Sequence, residues 1–358
     1  MFGTILIFLL ILLVLVLSHE FGHFIIAKWR GVKVEEFAFG FPPRLFSVKK
    51  GETKYSFNLL PLGGYVKIPG EDGETDGDPR SFTAQPFLTK FGIIIAGVIF
   101  NLILAYILIS ASFMIGIPVP LEDEIQNAGA EVKIVAVEKG SPAQIAGIEP
   151  GDTIRNVSFG GEQLSINKIT EVRNFILDHK GKEISLSLLR SGNVIEAKAV
   201  IRSEVRDGQG ALGIEMARIG IERTSIFGGL AKGFSHTADM TVLTGKALFS
   251  FFGSLFSGRE SFESVSGPIG IARIVRDFSR FGFIFLVQLT ALLSINLAII
   301  NLIPFPGLDG GRALLLIIEQ LKGSPFNAKV TRAIHATGFA FLLALIALVT
   351  YHDIVKMM

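Results

Sequence analysis

Four long apolar runs, at about residues 2–27, 89–117, 281–303 and 333–351, constrain this chain more than any other feature. Crossing the hydrocarbon core of a bilayer takes roughly 20 apolar residues in a helix. Lipid offers no hydrogen bonds, so a single segment can cross only as a helix that satisfies its own backbone. The expected fold class is therefore a polytopic α-helical membrane protein with four transmembrane helices. Composition agrees, with a mean hydropathy of +0.52 and 18% charged residues, against about 25% in a soluble domain. A net charge of +2 argues against a nucleic-acid partner, and with no cysteine any bound metal must be held by His, Asp or Glu.

Charge patterning orients the spans. The first run lacks the basic start and small-residue exit of a cleavable signal peptide, so it reads as a retained span. Lys28, Arg30 and Lys33 follow it directly, and Arg312, Lys322, Lys329 and Arg332 lie between the last two runs. The positive-inside tendency places both basic stretches in the cytoplasm. Residues 226–257 are partly apolar but carry Lys232, His236, Asp239 and Lys246, which reads as amphipathic helices at the interface rather than a span.

The segments between the runs differ in kind. Residues 32–69 read as strands and turns, with a hairpin turn at Lys49-Lys50-Gly51 and a bend at Gly63-Gly64, followed by an acidic, Gly-rich loop over 70–80. Residues 121–203 read as a small closed α/β unit, with strands at EVKIVAV, EISLSLLR and VIEAKAVIR and a helix near 169–179. The expected organisation is a first membrane half at 1–118, an inserted domain at 121–203, a linker with interfacial helices at 204–280 and a second membrane half at 281–358.

The first run contains His19-Glu20-Phe21-Gly22-His23. On a helix, H-E-x-x-H sets two imidazoles on one face, where both can ligate one Zn2+, while the glutamate can accept a proton from a metal-activated water. An ionisable cluster at membrane depth is costly and so points to function. The bland alternative, a helix end whose polar groups face water, fits poorly because Lys28 already anchors that end. A catalytic zinc needs a third protein ligand and an open position. Asp309, within Asn301-Leu302-Ile303-Pro304-Phe305-Pro306-Gly307-Leu308-Asp309, meets the same depth only if the chain crosses four times. The competing reading of that run is a Pro/Gly turn with Asp309 capping the next helix.

Taken together, HEFGH, FGFPP, GGYVK, Gly97-x-x-x-Asn101, Ser266-Gly267-Pro268-Ile269-Gly270 and NLIPFPGLDGGR resemble the site-2 protease family of intramembrane metalloproteases, RseP-type members above all. The resemblance implies that His19, His23 and Asp309 bind Zn2+, that Glu20 is the general base, and that Asn101, Asn301 and Pro304 lie near the substrate. For Gly97 and Asn101, plain helix–helix packing is the other reading. It implies that residues 32–69 form a membrane-associated β-hairpin sheet to which an extended substrate adds as a strand. The 121–203 unit is similar to a PDZ domain through SPAQIAGIEPGD, implying a possible peptide ligand or a size filter; as a spacer it would do neither. RseP-type members with two tandem PDZ units have one more than this chain has room for.

These readings give an intramembrane zinc metalloendopeptidase that cleaves transmembrane or membrane-proximal segments of membrane proteins in regulated intramembrane proteolysis. Its partners are transmembrane protein substrates and the lipid bilayer. Its expected place is the bacterial inner membrane, with the PDZ domain on the outer face and the active site toward the cytoplasm. An inactive PDZ scaffold is the alternative, disfavoured by the intact Glu20; an ion transporter would spread its polar groups over several helices. His179, His236, His335 and His352 receive no role.

Overall fold

The computed structural model describes residues 2–71, 73, 77–125, 129–190, 192–204, 210–257 and 267–356. Ser266 and parts of the 70–80 loop and the 204–280 linker lie outside these described residues. In chain order the elements are α1 (Phe2–Trp29), β1 (Glu36–Lys50), β2 (Thr53–Lys67), α2 (Phe87–Ile115), β3 (Ile117–Pro120), β4 (Glu131–Val137), α3 (Pro142–Ile145), β5 (Thr153–Phe159), β6 (Glu162–Ser165) and α4 (Ile169–Asp178). There follow β7 (Glu183–Arg190), β8 (Asn193–Val200), β9 (Ile214–Glu222), α5 (Ile226–Phe256), α6 (Pro268–Phe281), α7 (Phe283–Leu302), α8 (Asp309–Lys322) and α9 (Ala328–Val355). The chain divides into two units: residues 1–110, 230–275 and 287–358 form the first, and 111–229 with 276–286 the second.

The four helices long and apolar enough to cross a bilayer are α1, α2, α7 and α9. Leu6, Leu10, Phe341 and Leu348 on α1 and α9 are exposed. An apolar surface of that extent suits lipid rather than water. The last helix begins earlier than hydropathy alone implies, because Asn327 caps it by accepting from the Lys329 backbone N–H at 2.9 Å. Residues 226–256 form one continuous helix, α5, rather than several short ones. Helix α8 occupies what hydropathy reads as a loop, and ends at Gly323, whose φ of 74° gives the left-handed cap that glycine accepts without strain.

Strands β1 and β2 are each used twice. Glu36 pairs with both Lys54 and Lys67, and Phe39 with both Phe57 and Gly64, while Lys50 pairs with Thr53 across the hairpin turn. The two long strands thus curl into a narrow sheet whose final stretch, Gly64 to Lys67, is held by residues 36–39. A buried core of Ala27, Val32, Val34, Ile68, Ile93, Ile94, Ala313 and Leu316 fastens this sheet to the ends of α1 and α2 and to α8. Burying each of the Val, Ile and Leu side chains is worth about 1.5–3 kcal/mol, so the core fixes how α8 meets α1.

The second unit is an antiparallel sheet ordered β3-β9-β4-β5-β7-β8, with β6 paired to β5. Strand β7 alternates as a half-buried strand should, with Ile184, Leu186 and Leu188 inside. Strands β3 and β9 fall outside the 121–203 window yet belong to this sheet. They pair with one another across the whole domain, Ile117 with Glu222 and Pro120 with Ile219, a contact that local periodicity does not reveal. Buried Arg218 on β9 donates to the carbonyls of Glu122, Ile125 and Asn167 at 2.8 Å each.

Candidate metal centre

One helical turn separates His19 from His23 on α1, and their rings meet edge to face with centroids 4.8 Å apart. Both present Nε2 to the same point, with the two nitrogens 3.3 Å apart. The helix can hold them inside the protein because α2 comes unusually close. A Cβ at Gly22 would strike the backbone of Ala96, and a Cβ at Gly97 would stand 2.5 Å from His23 Nε2 and 2.6 Å from His19 Cε1. Both glycines are needed for their lack of a side chain, and both lie within the motifs already singled out.

Asp309 comes from the other half of the chain. It is the first residue of α8, with Leu308 in the cap position, so it opens that helix rather than capping it. The turn before it is set by close backbone packing. A Cβ at Gly310 would strike the carbonyls of Leu302 and Ile303, and one at Gly311 the carbonyl of Phe305. One turn further on, Arg312 forms an ion pair with Glu71 in the loop after β2. The result brings Asp309 Oδ2 to 3.1 Å from His19 Nε2 and 3.4 Å from His23 Nε2.

These residues fit a metal. The three ligand atoms form a triangle with sides of 3.1, 3.3 and 3.4 Å. Donors at zinc bond lengths around a tetrahedral ion stand roughly 3.3–3.5 Å apart. Asp309 Oδ2 is buried and, despite two rings within reach, accepts no properly directed hydrogen bond. Among the described residues this is the one group of three or more His, Asp or Glu side chains whose ligand atoms converge.

The surrounding groups complete the site. His23 Nδ1 lies 2.7 Å from the Ile93 carbonyl. Asn101 is fully buried, with Nδ2 3.4 Å from His19 Nδ1, and Ser294 on α7 donates to its carbonyl at 2.7 Å. Asn301, at the end of α7, brings Nδ2 to 3.4 Å from His19 Nε2. Pro304 lies exposed in the connection between α7 and α8. Glu20 faces the sheet: a Cβ on Gly64 of β2 would sit 3.1 Å from Glu20 Cγ.

Sequence reading missed three of these supports: the Ile93 carbonyl, Ser294 and the Glu71–Arg312 tie. A backbone carbonyl leaves no residue signal, and the other two are ordinary polar residues whose partners are distant in the chain. His179, given no role, is stacked on Phe175 and packed on Phe159.

The chain is similar to known proteins over most of its length. The model for peptidase family M50 matches residues 7–345. A relative from Clostridium acetobutylicum is 34% identical over 343 residues, covering 96% of this chain and 94% of that protein. The zinc metalloprotease RasP of Bacillus licheniformis is 30% identical and is matched over 99% of both chains. RasP of Geobacillus kaustophilus is 29% identical over 98% of this chain and 97% of its own.

Proposed function

Because the chain belongs to peptidase family M50 and is a zinc-dependent metalloendopeptidase with several membrane helices, we propose that it cleaves transmembrane or membrane-proximal segments of other membrane proteins, with His19, His23 and Asp309 as zinc ligands and Glu20 as general base. The observation that carries this reading is the convergence, within 3.4 Å of one another, of Asp309 Oδ2 with two imidazoles of α1, a helix apolar enough to span.

Zinc, when bound, supplies Lewis-acid polarisation of the scissile carbonyl and of a water molecule. Glu20 takes the proton from the attacking water on its carboxylate and hands it to the leaving amine. Asn301, with its amide 3.4 Å from His19 Nε2, and Pro304 flank the path of the scissile peptide. A substrate helix must unwind to expose its peptide bond, and in lipid the freed backbone needs new partners. Strand β2 offers them, since Gly64 lies against Glu20 and an extended segment laid along β2 would pass the base. The run SPAQIAGIEPGD supports reading residues 121–203 as a PDZ domain that docks a peptide or filters substrates by size, and the basic residues after α1 support placing it on the outer face of a bacterial inner membrane, opposite a cytoplasm-side active site.

The test is cleavage of a reporter transmembrane substrate by purified full-length protein in detergent. Glu20→Gln should lower the rate about 100- to 10,000-fold, the range that one general acid–base group contributes, with zinc content unchanged. Cleavage at the wild-type rate would refute the mechanism.

A further inference from the structure

Asn101 is sealed inside the first unit, with no exposed surface, yet its side-chain oxygen Oδ1 has no hydrogen-bond partner. Its amide nitrogen instead faces His19 Nδ1 at 3.4 Å. Buried polar atoms generally have a hydrogen-bond partner, and unlike Asp309 Oδ2, which faces the metal position, Asn101 Oδ1 has none assigned.

The two imidazoles decide how this amide is used. Each aims Nε2 at Asp309 and turns Nδ1 away. His23 Nδ1 faces the Ile93 carbonyl at 2.7 Å. A carbonyl only accepts, so His23 carries its proton on Nδ1 and leaves the Nε2 lone pair for a metal. A metal-binding histidine generally donates its other ring N–H to an acceptor in this way. For His19 to ligate through Nε2, it too must carry its proton on Nδ1. That proton would then point at the Asn101 amide nitrogen, donor against donor. Turning the amide over puts Oδ1 in place of Nδ2, and the two groups of an amide are so alike in size that the turn needs no room. One rotation therefore gives the orphaned Oδ1 a donor and the His19 proton an acceptor.

We propose that Asn101 is a positioning residue for His19: its Oδ1 accepts from His19 Nδ1–H, fixing the tautomer and the ring that present Nε2 to zinc. The spacing Gly97-x-x-x-Asn101 follows from this role. Gly97 lets the α2 backbone touch both imidazoles, and Asn101, one turn on, reaches the far edge of the His19 ring. Ser294 holds that turn of α2 by donating to the Asn101 carbonyl at 2.7 Å. Asn101 on this account belongs to the imidazole and not to the substrate.

The inference rests on the reading of His19, His23 and Asp309 as zinc ligands, and the experiment separates the two. Zinc affinity of the purified full-length protein in detergent is measured by competition with a chromophoric chelator, alongside the melting temperature of the zinc-free form. His23→Ala is the control: if it leaves affinity at the wild-type level, the ligand assignment fails. Given a loss there, Asn101→Leu, which has no acceptor, should weaken zinc binding roughly 10- to 100-fold, and Asn101→Asp, which only accepts, should hold it at or above the wild-type level. Unchanged zinc affinity in Asn101→Leu, with a raised KM alone, would overturn the proposal. So would an equal loss in Asn101→Asp, because burial and not the acceptor would then matter. If Asn101→Leu fails to fold, the Asn101→Asp result decides by itself.

Discussion

Asp309 holds one carboxylate oxygen 3.1 Å from Nε2 of His19, although the two residues come from opposite halves of the chain. Neither residue's own helix accounts for that distance. It depends on α8 starting in one place, which the backbone contacts of Gly310 and Gly311 and the buried core around Ala313 and Leu316 determine. The site is therefore as sensitive to its glycines as to its ligands.

The first prediction concerns those glycines. Gly311→Ala puts a methyl group into the Phe305 carbonyl, and α8 has to move for it to fit. Overpacking of this kind costs about 1–3 kcal/mol. We expect the variant to fold with a lowered melting temperature and to lose most of its zinc, although no ligand is changed. Metal analysis beside thermal unfolding checks this; full zinc occupancy would show that α8 is not positioned by that contact.

The second concerns zinc and stability. A ligand that binds only the folded state at 1,000 times its Kd stabilises by about 4 kcal/mol. Removing zinc with a chelator should lower the melting temperature of the wild type and leave that of Asp309→Ala unmoved. An equal fall in both proteins would place the stabilising metal elsewhere.

The third lies in the second unit. Asp123 accepts the Ile169 and Thr170 backbone N–H groups at 3.0 and 2.8 Å, tying the start of α4 to the loop after β3. Burial pushes its carboxyl up, but these hydrogen bonds outweigh burial and hold it below its ordinary value of 3.8. A carboxyl depressed in the folded state stabilises above its unfolded value, and that stabilisation is lost as pH falls through the folded value. Asp123→Ala should cost about 1 kcal/mol at neutral pH, the usual worth of such a cap. The gap from wild type should close as the pH drops below 4. Hydrogen exchange of the α4 amides across that range measures it, and a gap independent of pH would contradict the assignment.

Much of the membrane half was legible because its signals are local. Long apolar runs mark the spans, and HEFGH marks one helical face. The span count expected Asp309 at the HEFGH end of the membrane half, and Asp309 lies 3.1 Å from His19. Helix α8 was not legible, since its 14 residues mix charge and apolarity beside two prolines. Strands β3 and β9 were hidden for another reason: their pairing joins Ile117 to Glu222, and no window of sequence contains both. Asn101 could be picked out from its spacing after Gly97, but only the direction of the His19 ring tells what its amide faces.

The central claim, that His19, His23 and Asp309 hold the catalytic zinc, is tested most directly by zinc X-ray absorption on the purified full-length protein. The account predicts one zinc per chain with two imidazole nitrogens at about 2.0–2.1 Å and oxygen donors in its remaining positions, and one imidazole fewer in His23→Ala. Three or more imidazoles around the metal, or an unaltered spectrum in His23→Ala, would contradict it.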